Sequence, residues 1–161
     1  MSKLNLYNYF LGGLVMVHIF VAGAYFTTNK NDTDMYPFIT NILKRKFPSL
    51  NIIMPTDIEK YRENFINQNP NASIKQINKA MVDYDLLLVK TAKMLVVDVS
   101  NKSTGLGIEL GTIVNDNKPL IFIAKEGSKI SNMVYGAFPE IEVNFYSNKE
   151  DLEKIIENIK L

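Results

Sequence analysis

The sequence predicts an α/β domain built on a parallel sheet of about five strands with helices on both faces. Three observations carry that expectation. Short apolar runs rich in β-branched residues recur along the chain, segments of helical period stand between them, and no internal repeat or Pro/Ser-rich linker divides the 161 residues. A chain of this length buries enough surface to fold without disulfide or metal staples.

Residues 17–22, an apolar run closed by Gly23, form the first expected strand. Asp32 or Thr33 is placed to cap a helix whose positions Met35, Ile39, Ile42, Leu43 and Phe47 follow helical spacing, with Pro37 in its first turn and Pro48 at its end. Residues 51–54 are a second strand. The polar segment 56–71 carries little strand signal and is expected to be a loop with a helical turn. Ser73 and Gln76 make a capping box for a helix with Ile74, Ile77, Met81, Tyr84 and Leu88 on one face.

The run 94–99 has one acid, Asp98, near its end, as expected of a central parallel strand. A glycine-bearing loop then leads into a helix expected from about Gly107 to Asn115. Residues 119–124 and 143–146 complete the strands. Ser147 and Glu150 suggest a cap for the closing helix, whose core face is Leu152, Ile155, Ile156 and Ile159. Residues 16–161 are expected to be one domain, and residues 1–15 an extension of uncertain order.

The composition removes whole classes of chemistry. With no cysteine and His18 as the sole histidine, disulfides, thiolate nucleophiles, His-based metal clusters and Ser-His-Asp triads are excluded. A formal charge of +1 gives no reason to expect a nucleic-acid or anionic-membrane partner. No charged residue occurs between Lys3 and Lys30, but Asn5, Asn8, Gly12, Gly13 and His18 make that window poor hydrocarbon. The first strand also consumes part of it, so no membrane span is expected and the protein is placed in the cytoplasm. Catalysis is left to carboxylates, hydroxyls, amides and backbone dipoles.

In parallel sheets of this kind ligands lie beyond the carboxyl ends of the strands. After the third strand the chain reads Ser103-Thr-Gly105-Leu-Gly107-Ile-Glu109-Leu-Gly111. Gly105 and Gly107 allow close backbone approach to a ligand at a helix start, and Glu109 is expected in the first turn, where the helix dipole favours its anion. An ionised carboxylate in a partly dry cleft can attack an anomeric carbon; a solvated acid at a helix start is the plain alternative. Asp85, beside the apolar face of its helix and followed by residues 86–89, is a candidate proton donor. Its alternative is an exposed acid paired with a lysine, and Asp83 is a nearby decoy. Beyond the first strand, Gly23-Ala24-Tyr25-Phe26 offers aromatics that could stack on a base or simply pack. Beyond the fourth, Ser131-Asn132-Met133 offers a hydroxyl, an amide and a soft apolar wall. Asp98 is expected to be a structural hydrogen-bond acceptor and His18 to be packed.

The glycine-ended first strand, Asp85-Leu, the block Ser103 to Gly111, the strand after Lys118-Pro119, and Ser131-Asn-Met133 with Gly136 together resemble the nucleoside 2-deoxyribosyltransferase family, including the 2'-deoxynucleoside 5'-monophosphate N-hydrolases. The likeness runs from about Val17 to Leu161. It implies a flavodoxin-like three-layer fold, a homo-oligomer of at least two subunits with shared sites, and no metal or organic cofactor. It also implies that Glu109 forms a covalent glycosyl intermediate, that Asp85 handles the proton of the departing base, that Gly105 and Gly107 shape the pocket floor, and that a neighbouring subunit contributes Ser131.

The two branches pull apart here. Ser103 and Ser131 are similar to the nucleotide hydrolases, whose hydroxyls receive a 5'-phosphate. Ala24, Tyr25 and Phe26 look more like the transferases than like the arginine-bearing loop of the hydrolases, although Lys30 would supply a charge. Three readings stand: transfer of a 2-deoxyribosyl group between bases, hydrolysis of a 5'-monophosphate, and a nucleotide sensor without turnover. A pocket lined by Tyr25, Phe26 and Met133 favours the first, the two serines the second, and retention of both acids argues against the third.

Overall fold

The computed structural model describes residues 17–24 and 35–161. The expected extension 1–15, the cap at Asp32 or Thr33, Lys30, and the aromatics Tyr25 and Phe26 lie outside the described residues. The strands are β1 (His18–Gly23), β2 (Asn51–Ile53), β3 (Met94–Asp98), β4 (Leu120–Lys125) and β5 (Val143–Tyr146). The helices are α1 (Met35–Lys46), α2 (Pro55–Gln68), α3 (Ile74–Thr91), α4 (Thr104–Gly111), α5 (Asn132–Ala137) and α6 (Lys149–Glu157).

All five strands are parallel, in the order β2-β1-β3-β4-β5. This is a flavodoxin-like arrangement, and its strand order reverses direction between β1 and β3. There Ile19 faces Met94 and Gly23 faces Asp98, so the carboxyl ends of the two strands finish level.

Alternation along the strands divides the core in two. Ile19, Val21, Met94, Val96 and Ile123 point to one face, where α1 and α6 supply Ile39, Leu43, Leu152 and Ile156. Phe20, Ala22, Leu95, Val97 and Phe122 point to the other, against Leu88 and Val89 of α3 and Leu106 and Leu110 of α4. β3 is buried at all five positions, which is why it carries no polar residue before Asp98.

Three local expectations need correction. Residues 56–71 are mostly helix: Pro55 occupies the first turn of α2, Met54 N–H donates to Asp57 Oδ2 at 3.1 Å, and Ile58, Tyr61 and Phe65 form a sparse inward stripe. Tyr61 stacks on Tyr84 of α3 with centroids 3.9 Å apart, which adds to the packing of Ile58 and the buried Phe65. The glycine-rich helix begins at Thr104, capped by the Ser103 hydroxyl, and not at Gly107. The cap of α6 is Asn148, whose side chain accepts from Asp151 N–H at 2.9 Å, one residue beyond Ser147. The Ser73–Gln76 capping box forms as expected.

The carboxyl end of α3 is tied down from two sides. His18, buried in β1, has Nε2 2.9 Å from Leu88 O. Lys118 sends Nζ–H to Val89 O at 2.9 Å, Lys90 O at 2.8 Å and Ala92 O at 3.4 Å, satisfying carbonyls that the helix end leaves open. Burial lowers its ammonium pKa, while Asp116 acts against that shift. Lys118→Met keeps the stem but removes these donors, and should lower stability by about 1–3 kcal/mol in urea unfolding.

Candidate active site

Ala22, Gly23 and Ala24 at the end of β1, the Asn101–Ser103 loop after β3, α4, and the facing sides of α2 and α3 enclose a cavity of about 570 Å³. It lies at the carboxyl edge of the sheet, where the strand order reverses. Asp85 of α3 and Glu109 of α4 both line it.

These two carboxyl groups lie within hydrogen-bonding reach of each other. Desolvation, and then the charge and hydrogen bond of Asp85, push the Glu109 carboxyl up to about 8. Desolvation also raises Asp85, an effect partly offset by its hydrogen bond to Glu109. Like charges at this separation do not both ionise cheaply, so the pair holds one proton between them at neutral pH. The expectation that the helix dipole keeps Glu109 anionic is therefore corrected. With α4 starting at Thr104, Glu109 is its sixth residue, beyond the first turn where the dipole acts. Glu109 Oε2 is buried without a hydrogen-bond partner among the described residues.

The decoy acid behaves as a surface group: Asp83 pairs with Lys79 one turn earlier at 2.5 Å. Asp98 is a structural acceptor, with its carboxylate 2.9 Å from Ser100 N and 2.5 Å from Ser100 Oγ. Ser100 Oγ in turn accepts from Lys125 N–H at 2.7 Å, fixing the loop that leads to Ser103. Gly23 is required by packing, because a Cβ there would collide with the hydroxyl of the buried Tyr36.

The remaining candidates divide between two cavities. Gly23, Gly105 and Ser103 line the cavity of the acid pair. Gly107, Ser131 and Met133 line a second one of about 520 Å³ on the other side of α4. Asn101, Lys102, Ser103 and Leu106 face both. The Ser131 hydroxyl caps α5, accepting from Met133 N–H at 3.3 Å, and Met133 is 79% exposed. The sequence reading passed over Lys102 and, on the unpredicted α2, Glu59; both line the acid cavity.

No family model and no curated protein matches this sequence. Solved structures do share its fold. A conserved protein from Enterococcus faecalis V583 is similar with a TM-score of 0.55 and 15% identity, over 89% of this chain and 98% of that one. The Clostridium botulinum CMP N-glycosidase BcmB is similar with a TM-score of 0.56 and 14% identity, over 85% of this chain and 94% of that one. Among the described residues no helix is long and apolar enough to cross a membrane.

The raised Glu109 pKa fixes the sign of a pH effect. Between about 4.5 and 8 the folded protein binds more protons than the unfolded chain, so stability falls as pH rises through this window. The melting temperature should drop from pH 5 to pH 8.5, and Glu109→Gln should flatten that drop, as calorimetry across the range would show.

Proposed function

We propose that this protein cleaves the N-glycosidic bond of a 2'-deoxynucleoside, with Glu109 as nucleophile, and passes the deoxyribosyl group to a second base. The observation that carries the reading is the proton-sharing Asp85–Glu109 pair in a cavity at the sheet's topological switch point. The shared proton suits the first step. Burial and the neighbouring Asp85 hold the resting proton on Glu109, so it first passes across the contact to Asp85; the Glu109 oxygen freed of it then attacks C1' as the C1'–N bond breaks. The bond's electron pair goes to the base nitrogen, and Asp85 gives the base its proton. A nitrogen of the incoming base then attacks C1', the ester bond to Glu109 breaks, and the proton lost from that nitrogen returns to Asp85.

A second copy of the chain fits the same reading. Ser131 and Met133 lie outside the acid cavity of their own chain, while Ile108, Met133 and Tyr135 are exposed apolar side chains on α4 and α5. Pairing through this face covers them and carries Ser131 toward a neighbour's cavity, as the family resemblance implies. A Cβ at Gly107 meets nothing within 4 Å, so the chain's own packing does not explain that glycine, whereas a close-packed neighbour would.

Hydrolysis of a 5'-monophosphate is the second reading, with water resolving the adduct. Lys102 favours it, because it lines the cavity beside the Ser103 hydroxyl and has no ion pair among the described residues. The fold likeness to a CMP N-glycosidase points the same way. Product chromatography separates the two. Deoxycytidine formed from deoxyadenosine only when cytosine is added supports transfer, and base released from dAMP with deoxyadenosine untouched supports hydrolysis. Glu109→Ala should abolish either activity and the deoxyribosyl mass increment on the intact protein, whereas Asp85→Asn should slow turnover by roughly 10²–10⁴-fold. Full turnover in Glu109→Ala removes the nucleophile from the mechanism.

A further inference from the structure

Glu59 stands on α2 beside Ile58, and both line the cavity that holds Asp85 and Glu109. Its neighbour Asp57 is engaged by Lys60 and by Met54 N–H, whereas Glu59 has no hydrogen bond or ion pair among the described residues. The same helix thus carries one acid used to start it and another left facing the cavity.

The geometry locates the departing base. The group that protonates it must lie against it, so the base belongs on the side of Asp85. Asp85 shares α3 with Met81 and Val82, which line the same cavity, and α2 stands across from them, anchored by the Tyr61–Tyr84 stack. Ile58, Met81 and Val82 are apolar walls suited to a flat ring, and Glu59 is the polar group that α2 adds beside them. Asp85 and Glu109 are engaged with each other and with the reacting bond, and Asn101, Lys102 and Ser103 come from the loop before α4, so Glu59 is the polar group that the α2 wall offers to the ring's edge.

Resting on the N-glycosidic reading above, we propose that Glu59 selects the base by accepting a hydrogen bond from its exocyclic amino group. A carboxylate accepts and does not donate. The amino group of cytosine or adenine satisfies it, while the carbonyl at the same place in uracil or hypoxanthine sets lone pairs against lone pairs. A site built around such a bond rejects the isostere that lacks the donor.

The test compares deoxycytidine with deoxyuridine and deoxyadenosine with deoxyinosine, free and as 5'-monophosphates, on the wild type, Glu59→Gln and Glu59→Ala. In the wild type kcat/KM should favour the amino member of each pair by about tenfold or more. Glu59→Gln, whose amide can donate to a carbonyl, should bring that ratio near one or invert it. Glu59→Ala should lower the amino member and raise the carbonyl member, with melting temperatures close to the wild type in both variants. A wild-type ratio near one, or a ratio that survives Glu59→Gln, overturns the proposal. If none of these compounds is cleaved, the N-glycosidic reading falls by itself, and calorimetric titration with free cytosine and uracil decides on Glu59 separately. Cytosine binding that Glu59→Gln abolishes sustains its role in selecting the base. Equal binding of the two bases, or none, ends it.

Discussion

Two carboxyl groups brought together away from water are an expensive thing for a fold to hold, and the Asp85–Glu109 contact is the constraint on which the candidate site depends. Left to themselves the helices carrying them would relax apart. They do not, because α3 and α4 pack on the same face of the sheet: Leu88 and Val89 anchor one, and Leu106 and Leu110 the other. His18 and Lys118 fix the carboxyl end of α3, and Ser103 fixes the start of α4. A destabilising contact survives when the surrounding structure over-determines it, and such contacts gather where chemistry is done.

The architecture was legible because burial leaves a plain mark on strands covered from both sides. β1 and β3 are apolar at nearly every position, and no other element type of that length explains them. α2 was not legible because only Ile58, Tyr61 and Phe65 carry its inward stripe, and its stabilising partner, Tyr84, is 23 residues away from Tyr61 in the chain. Missing that helix also hid Glu59, since a polar loop gives no reason to point one acid anywhere in particular. Tertiary contact decides such helices more than propensity does.

The candidate site divided in the same way. Local spacing picked out Glu109 and Asp85, but the burial and then the contact that set their proton affinity arise between two helices, and the position of Glu109 relative to the helix start turned on whether Ser103 was the cap. Spacing also could not say on which side of α4 a residue would emerge. Gly105 faces the acid pair and Ser103 borders both cavities, whereas Gly107 lies on the opposite side with Ser131 and Met133. Asp83 and Asp85 were equivalent as letters two apart. The structure distinguishes them by giving one a lysine one turn away and the other a second acid.

The wall between the two cavities is a single thickness of chain. Asn101, Lys102, Ser103 and Leu106 border both, with the loop held at its root by the Asp98–Ser100–Lys125 hydrogen bonds and at its far end by the Ser103 cap of α4. An occupant that shifts this shared wall from one side alters the fit on the other, and such coupling is reciprocal by thermodynamic necessity. If the outer cavity is filled by another subunit, dilution and affinity become one variable: substrate would tighten the assembly by the factor by which assembly tightens substrate.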